Sequence, residues 1–187
     1  MIVSLTILNR YAENYGTLAI ATFGIAIKLN MLPKFITMGF ARGIQPFIGY
    51  NYGMKNRERM NSFIRSGYLW CNIICLSLAS IMLFLSRPIL GYFLPEGSAI
   101  EAGLPIIRIT LFAIIFVGFM QIKIASVQAQ RKKVTAFYLF LAHGGFFILL
   151  LFLTSFFDSP LVLALSFPLS DGLTALLAVI LTKARVH

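Results

Sequence analysis

The chain has 187 residues, of which 59% are hydrophobic and only 12% are charged, and its mean hydropathy is +0.87. A soluble domain carries about 25% charged residues because its surface faces water, so this composition excludes an ordinary soluble protein. The net charge of +10 would suit a nucleic-acid-binding protein, but the cations lie between apolar runs rather than in one stripe, and we expect no nucleic-acid partner.

The apolar runs predict an all-α fold, a polytopic membrane bundle of about six helices in one unit, residues 1–187. Crossing the hydrocarbon core takes about 20 helical residues. The first run, residues 1–8, is too short, lacks the features of a signal peptide, and is expected to be the end of a span whose beginning is absent. After a polar connection at residues 9–16, five spans are predicted at about residues 17–48, 61–85, 103–124, 134–157 and 161–181.

The connections are short and rich in turn-forming residues, at residues 51–53, 87–88, 95–97 and 158–160. Successive spans cross the membrane in opposite directions, so the connections lie alternately at its two sides. The cations are divided unevenly between these two sides. One end holds Lys55, Arg57, Arg59, Arg65, Arg131, Lys132, Lys133, Lys183 and Arg185. The opposite end holds Arg10 and Arg87, together with acids that include Glu96 and Glu101. Because Lys and Arg accumulate in cytoplasmic loops, we expect the basic loops and the C-terminus to be cytoplasmic, in a cell membrane.

Charged residues inside the predicted spans include Lys28, Lys34 and Arg42 in the second run, and Asp171 near the middle of the last. A charge at mid-depth costs roughly 2.5–3.5 kcal/mol on insertion scales, so such residues usually face a cavity or a partner. Lys28, Arg42 and Asp171 are therefore candidates for a substrate or ion path between helices. The alternatives are snorkelling of the cations to the interface, or a structural ion pair between Asp171 and a neighbouring helix.

A segment rich in glycine and proline ends the second run, and it contains Gln45, Pro46, Gly49, Asn51 and Gly53. Glycine permits close helix approach and positive φ, and proline removes a backbone donor. The pattern predicts a broken helix end and a tight turn with a conformational role. The amide of Gln45 is expected to bond to backbone groups that Pro46 leaves free.

This segment also carries a family resemblance. Residues 45–56 read QPFIGYNYGMKN and look like the segment after the eighth helix of multidrug and toxic compound extrusion (MATE) transporters. Residues 15–25, YGTLAIATFGI, are similar to that family's connection between helices seven and eight. Residues 104–109, LPIIRI, resemble the start of its tenth helix, and residues 167–171, FPLSD, resemble its twelfth. The matches occur in family order over essentially the whole chain.

The resemblance implies a transporter of twelve helices in two lobes, of which this chain would be the C-terminal lobe. Export of small organic, often cationic, drugs would be driven by entry of Na⁺ or H⁺. One branch of the family binds its cation with acids on the seventh and tenth helices, but residues 103–124 contain no acid. The coupling-ion site is therefore expected in the missing N-terminal lobe. The expected partners of this chain are that lobe, membrane lipid and the drug substrate. Residues 129–133, AQRKK, lack the glycine that many members have here.

Other functions fit the sequence less well. A membrane enzyme would need converging acids, histidines or nucleophiles, whereas His143 is expected to pack beside two close-approach glycines, Gly144 and Gly145, with no acid nearby. Cys71 and Cys75 sit in an apolar run without metal-ligand partners and are expected to pack as small apolar groups. A lipid-linked sugar flippase or polysaccharide exporter of the same architecture, or a transport-inactive fragment, stays as an alternative.

Overall fold

The computed structural model describes residues 2–94 and 97–183, and within these ranges it contains seven α-helices and no strand. The helices are α1 (Ile2–Glu13), α2 (Thr17–Gly53), α3 (Arg57–Phe93), α4 (Gly97–Leu111), α5 (Ile114–Ala129), α6 (Lys133–Thr154) and α7 (Pro160–Lys183). Five segments are long and apolar enough to cross a membrane: α2, α3, α4 with α5, α6 and α7. The predicted all-α membrane bundle is confirmed. Pro95 and Glu96 of the predicted 95–97 turn, and Arg185, lie outside the described residues.

Most helices extend beyond the apolar runs that predicted them. Helix α3 begins at Arg57 rather than near residue 61, because the Asn56 side chain accepts a hydrogen bond from the Arg59 amide at 3.1 Å and caps the helix there. Helix α1 continues to Glu13 through residues that were expected to form a polar connection. Its buried face explains this difference, since Leu8 and Ala12 are completely buried in one cluster with Phe23.

Helix α2 corrects the prediction of a broken helix end at the glycine- and proline-rich segment. The helix is continuous for 37 residues, through both Pro33 and Pro46. A proline removes one donor from the helix ladder, but ending the helix in lipid would leave many more backbone groups without partners. The Thr37 hydroxyl also donates to the Pro33 carbonyl at 2.6 Å. The chain turns only after Gly53.

Helices α4 and α5 form a single span with one tightened turn inside it. The Phe112 and Ala113 amides donate to carbonyls three residues earlier, each at 3.2 Å, which is the bonding pattern of a 3₁₀ turn. The turn interrupts the regular helix at residues 112–113 without reversing the chain. Residues 97–129 therefore cross the bundle once, and the region counts as one span, as predicted.

The two connections at the basic end share one backbone construction. Lys55 and Arg131 have positive φ values of 57° and 58°. The amide that follows each donates to the carbonyl five residues before it, Asn56 to Asn51 at 3.0 Å and Lys132 to Val127 at 3.1 Å. This is the Schellman ending of a helix, whose left-handed position usually holds glycine. Both hairpins therefore reverse in the same way and carry a basic residue at the turn.

At the opposite end, Tyr15 links two connections. Its hydroxyl donates to the Phe157 carbonyl at 2.9 Å, which joins the α1–α2 connection to the α6–α7 connection. Partial burial of the Tyr15 hydroxyl raises its pKa above the ordinary value, and the negative charge of the nearby Asp158 carboxylate raises this pKa further. The hydroxyl therefore stays protonated, and able to donate this bond, to a higher pH than a free tyrosine.

Helix α2 is central to the bundle, and it packs on α3, α4 and α5, and on α1 near its start. Among the described glycines, Gly118 of α5 has the tightest surroundings, where α5 packs on α3. A methyl group there would lie 2.8 Å from Asn72 Oδ1 and 2.9 Å from the Cys71 carbonyl oxygen. Small residues let transmembrane helices approach in this way, and van der Waals packing then replaces the hydrophobic effect. Cys71 and Cys75 are buried and free, as predicted.

Replacement of Gly118 by alanine tests this contact. We expect Gly118→Ala to destabilise the bundle by about 1–3 kcal/mol, the usual cost of overpacking, because α3 and α5 must separate. Thermal unfolding of the purified protein in detergent measures the change. Gly144→Ala is the matched control, since nothing lies within 4 Å of its added methyl group, and it should leave the melting temperature unchanged or raise it slightly. Equal effects of the two variants would contradict the packing described here.

Candidate functional site

Three ionisable side chains meet at the centre of the bundle. Asp171 of α7 lies 3.7 Å from Lys34 of α2, measured from Oδ2 to Nζ, and 3.2 Å from His143 of α6, measured from Oδ1 to Nδ1. Each residue sits near the midpoint of its helix: Lys34 is the eighteenth of 37 residues, His143 the eleventh of 22 and Asp171 the twelfth of 24. We call Lys34, His143 and Asp171 the mid-depth triad.

Burial of the triad is uneven. Asp171 is 5% exposed, whereas the side chains of Lys34 and His143 are 23% and 38% exposed. A buried carboxylate is strongly disfavoured unless it is paired and hydrogen-bonded. Lys34 provides a cationic partner from α2, and the His143 imidazole lies beside the acid from α6, so Asp171 connects α2, α6 and α7. The structure thus contains the ion pair that the sequence left as an alternative for Asp171, with Lys34 as the partner.

The expectation for His143 was wrong. The sequence shows no acid near it, because Asp171 is 28 positions away along the chain. Packing of α6 against α7 brings the two side chains together. Gly144 and Gly145 are not close-approach glycines either, since a methyl group on either would meet nothing within 4 Å. A lone histidine in an apolar run was the available signal, and its partner became visible only in three dimensions.

Lys28 and Arg42 do not join the triad. Both are exposed, and neither forms an ion pair with any described residue. At 1.5 Å per residue, Lys28 lies about 9 Å along α2 from Lys34, and Arg42 lies about 12 Å from it in the other direction. Because Lys34 marks the middle of the bundle, both cations lie within a hydrocarbon core about 30 Å thick.

The segment from Gln45 to Gly53 forms the last turns of α2. Gly49 faces the end of α5, and a methyl group there would lie 3.7 Å from the Ala129 carbonyl oxygen. The buried Asn51 donates from Nδ2 to the Phe47 carbonyl at 2.8 Å. Among the described residues no hydrogen bond involves the Gln45 side chain, and Pro46 and Gly53 are exposed. The segment is therefore a helical seam against α5 rather than a turn.

A groove in the described part of the chain lies away from the mid-depth triad. It has a volume of about 680 Å³, is open to the outside and runs between α1 and α6, lined by Ile7, Arg10, Tyr11, Asn14, Gly145, Ile148, Leu149 and Phe152. None of the residues singled out from the sequence as a path or turn residue lines it. This groove and the mid-depth triad therefore lie in different parts of the bundle.

A double-mutant cycle measures the coupling within the triad. We expect Asp171→Asn to destabilise the protein because Lys34 and His143 lose their anion, and we expect Lys34→Gln to offset part of that loss. The coupling energy between the two should be about 1–3 kcal/mol, as for residues in one charged network. Chemical unfolding of the four proteins in detergent gives the value. Lys28→Gln is the control on the same helix, and strictly additive effects of Asp171→Asn and Lys34→Gln would contradict the pairing.

Comparison with known proteins places this arrangement in a family. The MatE family model matches residues 1–153. The multidrug export protein MepA of Staphylococcus aureus is 25% identical over 175 residues, which cover 94% of this chain and 39% of MepA. MepA of Staphylococcus saprophyticus is 24% identical over 131 residues, which cover 69% of this chain and 29% of that protein.

Solved structures show the same fold. A crystal structure of a MATE protein in complex with MaL6 superposes with a TM-score of 0.83 at 16% identity, covering all of this chain and 43% of that one. A MOP superfamily transporter from Pyrococcus furiosus gives a TM-score of 0.79 at 15% identity, and the match covers 95% of this chain and 40% of that one. The chain spans about two fifths of the length of the relatives that it matches. Its family model, its helix order and its fold agree, and the chain belongs to the MatE family of multidrug and toxic compound extrusion transporters.

Proposed function

We propose that this chain forms the C-terminal lobe of a cation-coupled exporter of small organic compounds. The observation that carries the proposal is the set of charged side chains at the middle of a membrane bundle of this family: the mid-depth triad, Lys28 and Arg42. Charges at this depth are costly and usually mark a substrate or ion path. In two-lobe transporters the substrate site lies near the bilayer midplane between the halves, which is the depth of these residues.

Each singled-out residue has a role in this proposal. Lys28 and Arg42 line one wall of the path, and Asp171 holds the triad together as the lobe moves. The coupling ion, Na⁺ or H⁺, binds in the other lobe. In support of this, Glu101, the acid of α4, lies near the start of that helix and pairs with Arg87 at 2.6 Å, while α5 contains no acid.

The seam from Gln45 to Gly53 is the conformational element of the lobe in this proposal. Gly49 and Ala129 are small residues at the contact between α2 and α5. A seam of small residues lets two helices slide with little steric resistance, whereas large interdigitating side chains would have to change rotamer. Alternating access is largely the rocking of one half against the other, and in this proposal the seam adds a small movement of α2 against α5 within the lobe.

The proposed orientation of the chain in the membrane rests on the basic residues of its turns. We predict that single cysteines at Lys55 and Lys132 react with a membrane-impermeant maleimide from the cytoplasmic side, and that a cysteine at Glu101 reacts from outside. The assay compares intact cells with inside-out vesicles. The native Cys71 and Cys75 are buried, and the parent protein without added cysteines is the control. Reaction of the Lys132 and Glu101 positions from the same side would overturn the topology.

Transport requires the other lobe. We predict that the chain alone inserts into proteoliposomes but gives no gradient-driven efflux of a fluorescent organic compound, because one lobe provides one wall of the cavity. A two-lobe protein in which this chain follows a six-helix first lobe should give efflux that needs a Na⁺ or H⁺ gradient. Efflux by the chain alone would replace the one-lobe proposal with a self-sufficient assembly. Transport of a lipid-linked sugar but of no drug by the two-lobe protein would favour the flippase alternative.

A further inference from the structure

One exposed face of α2 carries two cations within a candidate membrane span. It carries Lys28, Leu32, Phe35, Gly39 and Arg42, which are all exposed and follow each other at steps of three and four residues. This spacing places them on one side of a helix. We call this set the cationic stripe, after the two charges at its ends.

The cationic stripe lies at a depth where a lipid-facing surface would be apolar. The exposed face of α3 shows that alternative, since its residues from Leu69 to Leu85 include Trp70, Ile73, Leu76, Ile81 and Phe84 and no charge. The exposed face of α7 is likewise apolar, with leucines at positions 161, 165, 169, 173 and 176. Charged residues within a span almost always face the bundle interior or a water-filled cavity. The cationic stripe is therefore the wall of an aqueous path rather than a lipid surface.

The charge on this wall is not balanced within the lobe. Asp171 is the acid at mid-depth in the described spans, and it is buried and already contacts Lys34 and His143. The other described acids, Glu13, Glu58, Glu101 and Asp158, lie near helix ends or in a connection. Lys28 and Arg42 form no ion pair with any of them. The wall thus presents two cations and no accessible anion.

From this arrangement we infer that Arg42 binds an anionic group, a carboxylate, sulfonate or phosphate, on an amphipathic organic molecule, and that Lys28, about 21 Å away along α2, is a second attractive charge on the same wall. The inference rests on the proposed export function and specifies its substrate class, which differs from the cationic drugs that the family resemblance implies. Arg42 offers a planar fork of donors that matches a carboxylate or phosphate, and Lys28 offers a point charge. Leu32 and Phe35 lie between them and provide apolar contact for the body of the molecule, as in other small-molecule sites.

A pair of probes that differ in the sign of their charge tests this inference. Tetraphenylborate and tetraphenylphosphonium have nearly the same size and shape, and binding of each to the chain is measured in nanodiscs of zwitterionic phosphatidylcholine, with empty nanodiscs subtracted. We expect the anion to bind about tenfold or more tightly than the cation, because one close charge–charge contact at low dielectric is worth at least that factor. The double variant Lys28→Gln/Arg42→Gln should lose this preference.

Lys55→Gln is the matched control, because Lys55 is exposed in the α2–α3 turn, outside the cationic stripe. It should leave the preference intact, and all variants should keep the parent helicity and elution volume. Equal binding of both probes, tighter binding of the phosphonium, binding of neither, or an anion preference that survives in the double variant would each overturn the inference. None of these results bears on export itself, which the efflux assay of the two-lobe protein decides separately.

An acidic side chain on the opposite lobe could supply the same anionic chemistry, and efflux distinguishes the two sources. In the two-lobe protein, Arg42→Gln should reduce export of an anionic dye and spare export of a cationic one if the stripe binds substrate. Parallel loss of both activities, with reduced stability of the two-lobe protein, would show that Arg42 pairs with the other lobe and would overturn the substrate assignment.

Discussion

Lipid offers the backbone no hydrogen-bond partners, and most of this structure follows from that constraint. The helices are long, and reversals of the chain occur between them. Buried polar side chains return their bonds to their own helix: Thr22 donates to Leu18, Asn30 to Ala26 and Thr37 to Pro33, at 2.6–2.9 Å. Even the two prolines of α2 leave the helix unbroken, because the loss of one donor is smaller than the cost of exposing a helix end.

The same constraint distinguishes two groups among the charged residues of the spans. Asp171 is tolerated because Lys34 and His143 approach it from two other helices. Burial of the acid therefore depends on the packing of α2, α6 and α7, and its contacts in turn stabilise that packing. Lys28 and Arg42 have no such partner among the described residues and lie on an exposed face. A paired charge stabilises one arrangement of helices, whereas an unpaired charge needs water or a ligand. The triad therefore stabilises the packing of three helices, and we propose that the cationic stripe contacts the transported molecule.

The sequence predicted the fold class and the spans because each depends on local composition. The number of crossings follows from apolar runs of sufficient length, and the family follows from short motifs such as residues 45–56. The errors in helix bounds came where these bounds depend on packing or on the cost of breaking a helix. Residues 9–13 look like a connection, yet Leu8 and Ala12 anchor them on Phe23. The segment around Pro46 looks like a break, yet the membrane favours its continuation as helix.

The sequence by itself determined that this chain crosses a membrane several times, that most of its loop cations lie at one end, and that it resembles the MATE family. It also marked Asp171 as a charge that needs an explanation. The tertiary structure alone decided that His143 and Lys34 provide this explanation and that Lys28 and Arg42 stay on an exposed face. The reason is distance along the chain: Asp171 is 28 residues from His143 and 137 from Lys34, and no local pattern specifies which faces of separate helices meet.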